Sequence, residues 1–435
     1  MGAVRVAERR PARCLRPRPP AIILAYVTER SLTGMPNSYG ALFATTFVVG
    51  LTMITLGPIL DPVLKDLDIP LARGGLLSVA FSVGMLVGVL SLNFLLAKVP
   101  VKWGLTGAAL VEAAGCLAAG LLARGLWSFF VAYFFVGLGC VFLNSLPGMW
   151  VTSHIKQGAE RAVVILLVFF ALGMMVGPLA IGGALAWGAT WRGVLVVEAV
   201  ICVLLAIAIA VSPISNIEGR ENLRVRQLRD VITFNPRLFF AVLAASILYI
   251  GAEFTFNVWL VKFQIDVFGV EKSIANLAMT MFWVGLLVGR GVVLAVSGRF
   301  PTSRILMVGA AVWAVFSVGV ALAVNLPMTV VMAFFAGLGA SAGFPLILSF
   351  SARFPKWHAG VVFSAVIMAG ALGRIVFPYL VGPLADSIGF RLAIGLAFLL
   401  AAILSLLTLY LYRVSGEAAE RAAARGGEHT PGPAA

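Results

Sequence analysis

A small set of ionisable side chains lies inside long apolar runs of this sequence: Glu112, Glu198, Glu253, Arg290 and Arg374. A charged group in hydrocarbon costs several kcal/mol, so such a residue is read as facing a cavity or a partner and as part of a solute or proton pathway. Glu253 is central among them. It sits in LYIGAEFTFNVWLVK, Leu248 to Lys262. On a helix, Tyr249, Glu253 and Asn257 recur at i, i+4 and i+8 and put three polar groups on one face, with Trp259 just beyond. Counted at 1.5 Å per residue, Glu253 and Arg374 each lie about 22 Å from the same end of their runs, and they can meet at one level. The expectation is a pair, or a shared exposure to a central cavity, in which Arg374 binds an anionic group and Glu253 takes a proton. A purely structural ion pair is the alternative.

The remaining charges carry weaker signals. Arg290 lies about 10 Å from the end of its run, close enough to snorkel or to meet a loop acid, and is read as structural or gating. Glu112, near mid-depth, is a buried hydrogen-bonded acid or a secondary proton site, and Glu198 a structural acid. Asn144, with Thr52 and Thr55 behind it, is the polar candidate of the first half. Small-residue pairs at i and i+4, among them Gly285 with Gly289 and Gly173 with Gly177, let helices approach closely. Pro178, like other prolines within apolar runs, kinks its helix and frees carbonyls. No catalytic constellation surrounds His154, His358 or His429, and the polar segments are too short for an enzyme domain. The four cysteines have no metal-like spacing, so no disulfide, metal or cofactor is expected.

These groups must be positioned by membrane helices. The chain has 435 residues, 61% of them hydrophobic and 11% charged, against about 45–50% apolar in soluble domains. The net charge of +14 sits mostly in tails and short loops, where it sets topology and meets anionic headgroups, so nucleic acid is not needed as a partner. Twelve runs reach the roughly 20 residues that a span requires: 38–62, 73–97, 103–123, 127–150, 162–187, 192–212, 238–262, 273–297, 304–325, 328–350, 359–385 and 389–412. Residues 1–36 are expected to be a disordered basic extension, with Met35 as the native start, and 414–435 a disordered tail. The longest interruption, 213–237, separates six-span bundles at 37–212 and 238–413.

The halves repeat at a shift of about 200 residues. Phe134, Phe135, Gly137, Leu138 and Gly139 recur as Phe334, Phe335, Gly337, Leu338 and Gly339, and Gly84 and Gly88 as Gly285 and Gly289. Six crossings per copy keep both copies in one orientation, making them parallel repeats. The basic loops around Lys98, Lys102, Arg299, Arg304 and Arg353 fall on one side with both termini. By the positive-inside rule that side is the cytoplasm.

Twelve spans in parallel halves with Gly-Pro-rich fifth and eleventh spans resemble the major facilitator superfamily over residues 37–412. The run Tyr249, Gly251, Glu253, Trp259, Phe282, Trp283, Gly285, Gly289 and Arg290 is similar to the fucose permease-like group of proton symporters. That resemblance implies an all-α fold and a central cavity lined chiefly by spans 1, 4, 7 and 10. It also implies two halves that rock. The expected activity is secondary transport of a small polar solute, an organic anion, sugar acid or sugar, across the inner membrane. Glu253 and Glu112 are the candidates for proton coupling. Substrate binding is expected from Arg374, Glu253, Asn257, Tyr249, Asn144 and Trp259, and gating from Arg290, Gly285, Gly289, Gly177 and Pro178. A monomer in the bilayer is expected. A drug or metabolite exporter of the same fold and a non-transporting membrane sensor are the alternatives.

Overall fold

A computed structural model describes residues 38–155, 159–216, 231–297, 299–354 and 356–427. The expected N-terminal extension and most of the expected 213–237 linker lie outside these residues. Among those described, the chain is almost entirely helical, with twelve helical segments long and apolar enough to cross a membrane and no strands. In chain order, α1 is Ser38–Asp66, α2 Leu71–Lys98, α3 Val101–Leu122, α4 Leu126–His154, α5 Ala159–Ala186 and α6 Trp191–Val211. The second half has α7 Pro236–Phe268, α8 Lys272–Val296, α9 Thr302–Leu322, α10 Leu326–Ala340, α11 Gly343–Ser349, α12 Lys356–Ile388 and α13 Phe390–Gly427.

Local sequence explains most of these limits. The Asn235 side chain accepts from the Leu238 amide, with Pro236 at the first helical position, and Gly269 closes α7 at φ 63°. The tenth span departs from expectation: it is broken between α10 and α11 and finishes in a 3-10 turn, Phe350–Arg353. Pro345 is the physical reason, since it has no amide to bond the Ser341 carbonyl and its ring crowds that carbonyl. The twelfth span runs past residue 413 to Gly427, into the expected disordered tail, because the EAAERAAAR stretch there consists of strong helix formers.

Close backbone contacts tie the helices together, and they repeat between halves. A Cβ at Gly84 on α2 would strike the Phe134 carbonyl on α4, and one at Gly137 would strike the Phe81 carbonyl. In the second half Gly285 on α8 faces the Phe334 carbonyl of α10, and Gly337 faces that of Phe282. Gly50 and Gly173 do the same for α1 with α5, and Gly373 for α12 against the Ile247 carbonyl of α7. Arginines also recur. Arg192 donates to the Gly120 and Ala123 carbonyls at 3.1 and 3.0 Å, satisfying the open end of α3. Arg391 donates to the Ala321 and Ala323 carbonyls at 3.1 and 2.6 Å, doing the same for α9.

Odd-numbered spans run from the face that carries residue 38 and the 213–237 connection, here the linker face, to the opposite, distal face. At the distal face the halves meet. Lys262 Nζ of α7 lies 2.9 Å from Asp61 Oδ1 of α1 and 2.6 Å from Asp266 Oδ1. Lys65 adds a 3.1 Å contact to Asp61 and Lys272 one of 3.8 Å. Asp61 is 1% and Lys262 9% exposed, so this ion pair is shielded from water. Beside it, the Ala72 amide of α2 donates to Asp386 Oδ2 of α12 at 3.1 Å. The Gly57 Cα packs on the Asn257 carbonyl, and Gly75 on the Tyr379 backbone.

Candidate functional site

Two long spans, α7 and α12, hold the site. Each is 33 residues long, and Glu253 and Arg374 lie about 26 and 27 Å along them, near their midpoints. They run parallel and in contact, with Gly251 against the Phe377 ring. Glu253 is buried, and Tyr249, one turn earlier on the same face of α7, is its polar neighbour. The Tyr249 ring in turn rests on Gly343, at the break between α10 and α11, and edge-on to Trp313 at 5.3 Å. The break therefore makes room for the tyrosine.

The charges of both Arg290 and Arg374 act on Glu253, yet neither arginine forms an ion pair with it within 4 Å. This corrects the expected Glu253–Arg374 pair. The Arg374 guanidinium instead lies 3.9 Å from the centre of the Phe254 ring, a cation–π contact, with Nη1 against the Met85 sulphur of α2 and Nε without a partner. Arg290 also differs from expectation. It turns inward toward Tyr249 and Glu253 rather than out to headgroups or a loop acid, and its Nε and Nη1 are buried without partners. Two guanidiniums thus stand around one carboxylate, with N–H donors to spare.

Asn257 extends the site toward the distal face. Its Oδ1 accepts from Trp283 Nε1 at 3.2 Å, and its Nδ2 has no partner. With Ser82, whose hydroxyl is also unpartnered, it lines a small void shared by α1, α2, α4 and α7, bounded by Met53, Tyr133 and Phe254. Trp283 was visible in the sequence only as part of the α7–α8 resemblance, and Ser82 and Met85 were not visible at all as site residues. A lone serine or methionine in an apolar helix carries no periodic signal, and only the packing of α2 against α12 brings these two to the site.

Trp259 leaves the candidate set. It is fully buried, its one donor is taken by the Pro378 carbonyl at 2.7 Å, and its ring packs on Gly74 and edge-on to Phe390. It has no polar atom left for a solute. Asn144 is exposed and makes no hydrogen bond with the other candidates. Glu112 and Glu198 belong to a separate polar cluster in the first half. Thr52 Oγ1 donates to Glu112 Oε1 at 2.5 Å, Cys202 Sγ lies 3.5 Å from that oxygen, and Thr55 Oγ1 donates to Glu198 Oε1 at 3.3 Å. Of the gating candidates, Gly285 is pressed on α10, Gly289 on Ser341, and Gly177 on Ile54, while Pro178 lies inside α5. Among the described residues no three His, Cys, Asp or Glu side chains cluster to hold a metal.

These groups thus form a buried polar chamber where α7, α8 and α12 of the second half meet α1 and α2 of the first, without a nucleophile or an acid–base pair set on a reacting bond. The sequence matches the Major Facilitator Superfamily over residues 42–275 and again over 242–433. The chain belongs to that family and is a multi-pass membrane transporter rather than an enzyme.

Solved structures agree on the fold. A bacterial homolog of the human lysosomal transporter Spinster, inward-facing and unoccupied, superposes with a TM-score of 0.74 at 14% identity, over 88% of this chain and 99% of that one. A nucleoside transporter gives 0.74 at 11% identity, over 86% and 100%. The fucose:proton symporter of E. coli gives 0.59 at 17%, over 85% and 98%. Comparison with curated proteins gives no match.

Proposed function

We propose that this chain is a secondary transporter that carries a small organic anion, such as a sugar acid or another carboxylate, across the inner membrane by alternating access in symport with protons. The observation that carries the reading is the charge balance of the chamber: Arg290 and Arg374 against Glu253 alone, with guanidinium N–H groups unpartnered. A carboxylate accepts from such donors in charge-assisted, often bidentate bonds, and it removes the excess positive charge. Arg374 binds the anionic group, and Asn257, Tyr249 and, from the first half, Asn144 contribute polar contacts. Glu253 takes the coupled proton, with Glu112 as a second proton site. The fucose permease-like group is the subgroup whose pattern the α7–α8 sequence follows.

In this reading the bundles at 37–212 and 238–413 rock about the chamber, hinged on the close packing of Gly177, Pro178, Gly285 and Gly289, with Arg290 as a charged gate. The basic linker face is cytoplasmic and holds both termini, and the transporter works as a monomer. A thermal-shift screen of the purified protein against sugar acids, other small carboxylates, neutral sugars and cationic drugs tests the proposal, since a ligand that binds the folded state raises its apparent stability. Carboxylates should stabilise the wild type, and Arg374→Ala should abolish the effect. Stabilisation by neutral sugars in both proteins would refute the anion reading, and stabilisation by hydrophobic cations would favour an exporter.

A further inference from the structure

A second cavity lies outside the chamber, lined by none of Arg374, Glu253, Asn257, Tyr249 and Asn144. It is a groove of about 340 Å³ among α8, α9, α10 and the α10–α11 break, floored by Gly289, Gly309, Gly339 and Ala342. Its walls are aliphatic, with Val292 and Val308 about half exposed on the outer surface of the helices and Phe300 standing at the linker-face mouth. Arg304 lines that mouth, and neither it nor its exposed neighbour Arg299 has an ion-pair partner among the described residues. From Arg304 to Val312 the groove follows α9 for about 12 Å.

The repeat explains why the groove exists. At a shift of 200 residues, Val141 and Phe142 of α4 correspond to Ser341 and Ala342. In the first half Val141 and Phe142 are buried, and a Val141 methyl covers Gly88. In the second half the same place beside Gly289 is taken by the small Ser341 side chain, and Ala342 stands against Gly309. The second half has therefore lost the bulk that fills this place in the first. At the mouth, where Pro100 matches Pro301 and the shift is 201 residues, Trp103 corresponds to Arg304, so an aromatic is exchanged for a cation.

We propose that this groove seats one acyl chain of an anionic phospholipid, with its headgroup phosphate held by Arg304. The groove is a slot within the membrane-spanning part of the molecule, and it ends at a helix start where headgroups lie. Its walls offer a hydrocarbon chain close packing, and Arg304, the one charged residue in its lining, is complementary to a phosphate that carries no compensating cation in its own headgroup. Because lipid tails and aliphatic side chains are equally apolar, the chain alone gives little selectivity, and the arginine supplies it, about fivefold for one cation near the surface.

Native mass spectrometry of the purified full chain tests this, with phosphatidylglycerol and phosphatidylcholine of identical acyl chains added in equal amounts. The wild type should retain one phosphatidylglycerol with about a fivefold preference. Arg304→Ala should bind both lipids equally, and Ala342→Phe, which restores the bulk of the first half, should bind neither in the one-lipid stoichiometry. Val308→Trp, on an exposed wall, serves as a second blocking variant should Ala342→Phe unfold. Equal retention of the two lipids by the wild type, displacement of the lipid by excess inorganic phosphate, or unchanged retention in folded blocking variants would overturn the proposal.

Discussion

The distal ion pair gives the sharpest test of how the halves are held. Asp61 on α1 and Lys262 on α7 approach to 2.9 Å while 1% and 9% exposed, so Lys262→Met removes a shielded charge from each of two aspartates. At an effective dielectric of about 20, the direct Asp61–Lys262 attraction is about 6 kcal/mol. Breaking a buried pair commonly costs about 3–5 kcal/mol, because it strands the partner. Here Lys65 still touches Asp61 at 3.1 Å from a side chain that is 66% exposed, and it offsets part of that loss. A net penalty of about 2 kcal/mol on the distally closed state is expected, a shift of roughly 30-fold toward opening at that face. Spin labels at Asp68 and Gly269, in the distal loops of the two halves, report this as a long-distance population by pulsed electron resonance. Asp61→Asn with Lys262→Met should recover part of the closed state, because no buried charge is then left alone. Unchanged distances in Lys262→Met, or a double variant equal to the sum of its parts, would refute the reasoning.

Other consequences follow from particular contacts. Gly285→Ala places a methyl on the Phe334 carbonyl and should cost about 1–3 kcal/mol, seen as a lower unfolding temperature in detergent, whereas Gly183→Ala, which meets nothing, should be neutral or stabilising by up to about 1 kcal/mol. Trp259→Phe should lose about 0.5–1.5 kcal/mol with the bond to Pro378 and leave solute affinity unchanged in a binding assay; a large affinity loss would return Trp259 to the site. Arg391→Met strips the α9 carbonyls of their donor and should destabilise by about 1–3 kcal/mol, as should Arg192→Met at α3, and a difference between the two in thermal unfolding would measure how far the halves have diverged.

The spans, the parallel repeat and the membrane class were legible in the sequence because they rest on run length and composition, which need no knowledge of neighbours. Gly84 and Gly285 could be paired by position before their contacts were known, and Glu253 and Arg374 could be placed at one depth by counting residues. What counting could not supply was direction around the helix axis and the identity of the neighbour. Arg374 meets Phe254 and Met85 instead of Glu253, Arg290 turns inward, and Trp259 is consumed by Pro378. The Asp61–Lys262 contact joins residues 201 positions apart, whereas the sequence shows each charge only its own i,i+4 partner, Lys65 for Asp61 and Asp266 for Lys262. A sequence states how deep a side chain lies along its helix, but only the packed helices decide what it faces, because burial and charge are satisfied by whichever neighbour the tertiary contacts bring within a few ångströms.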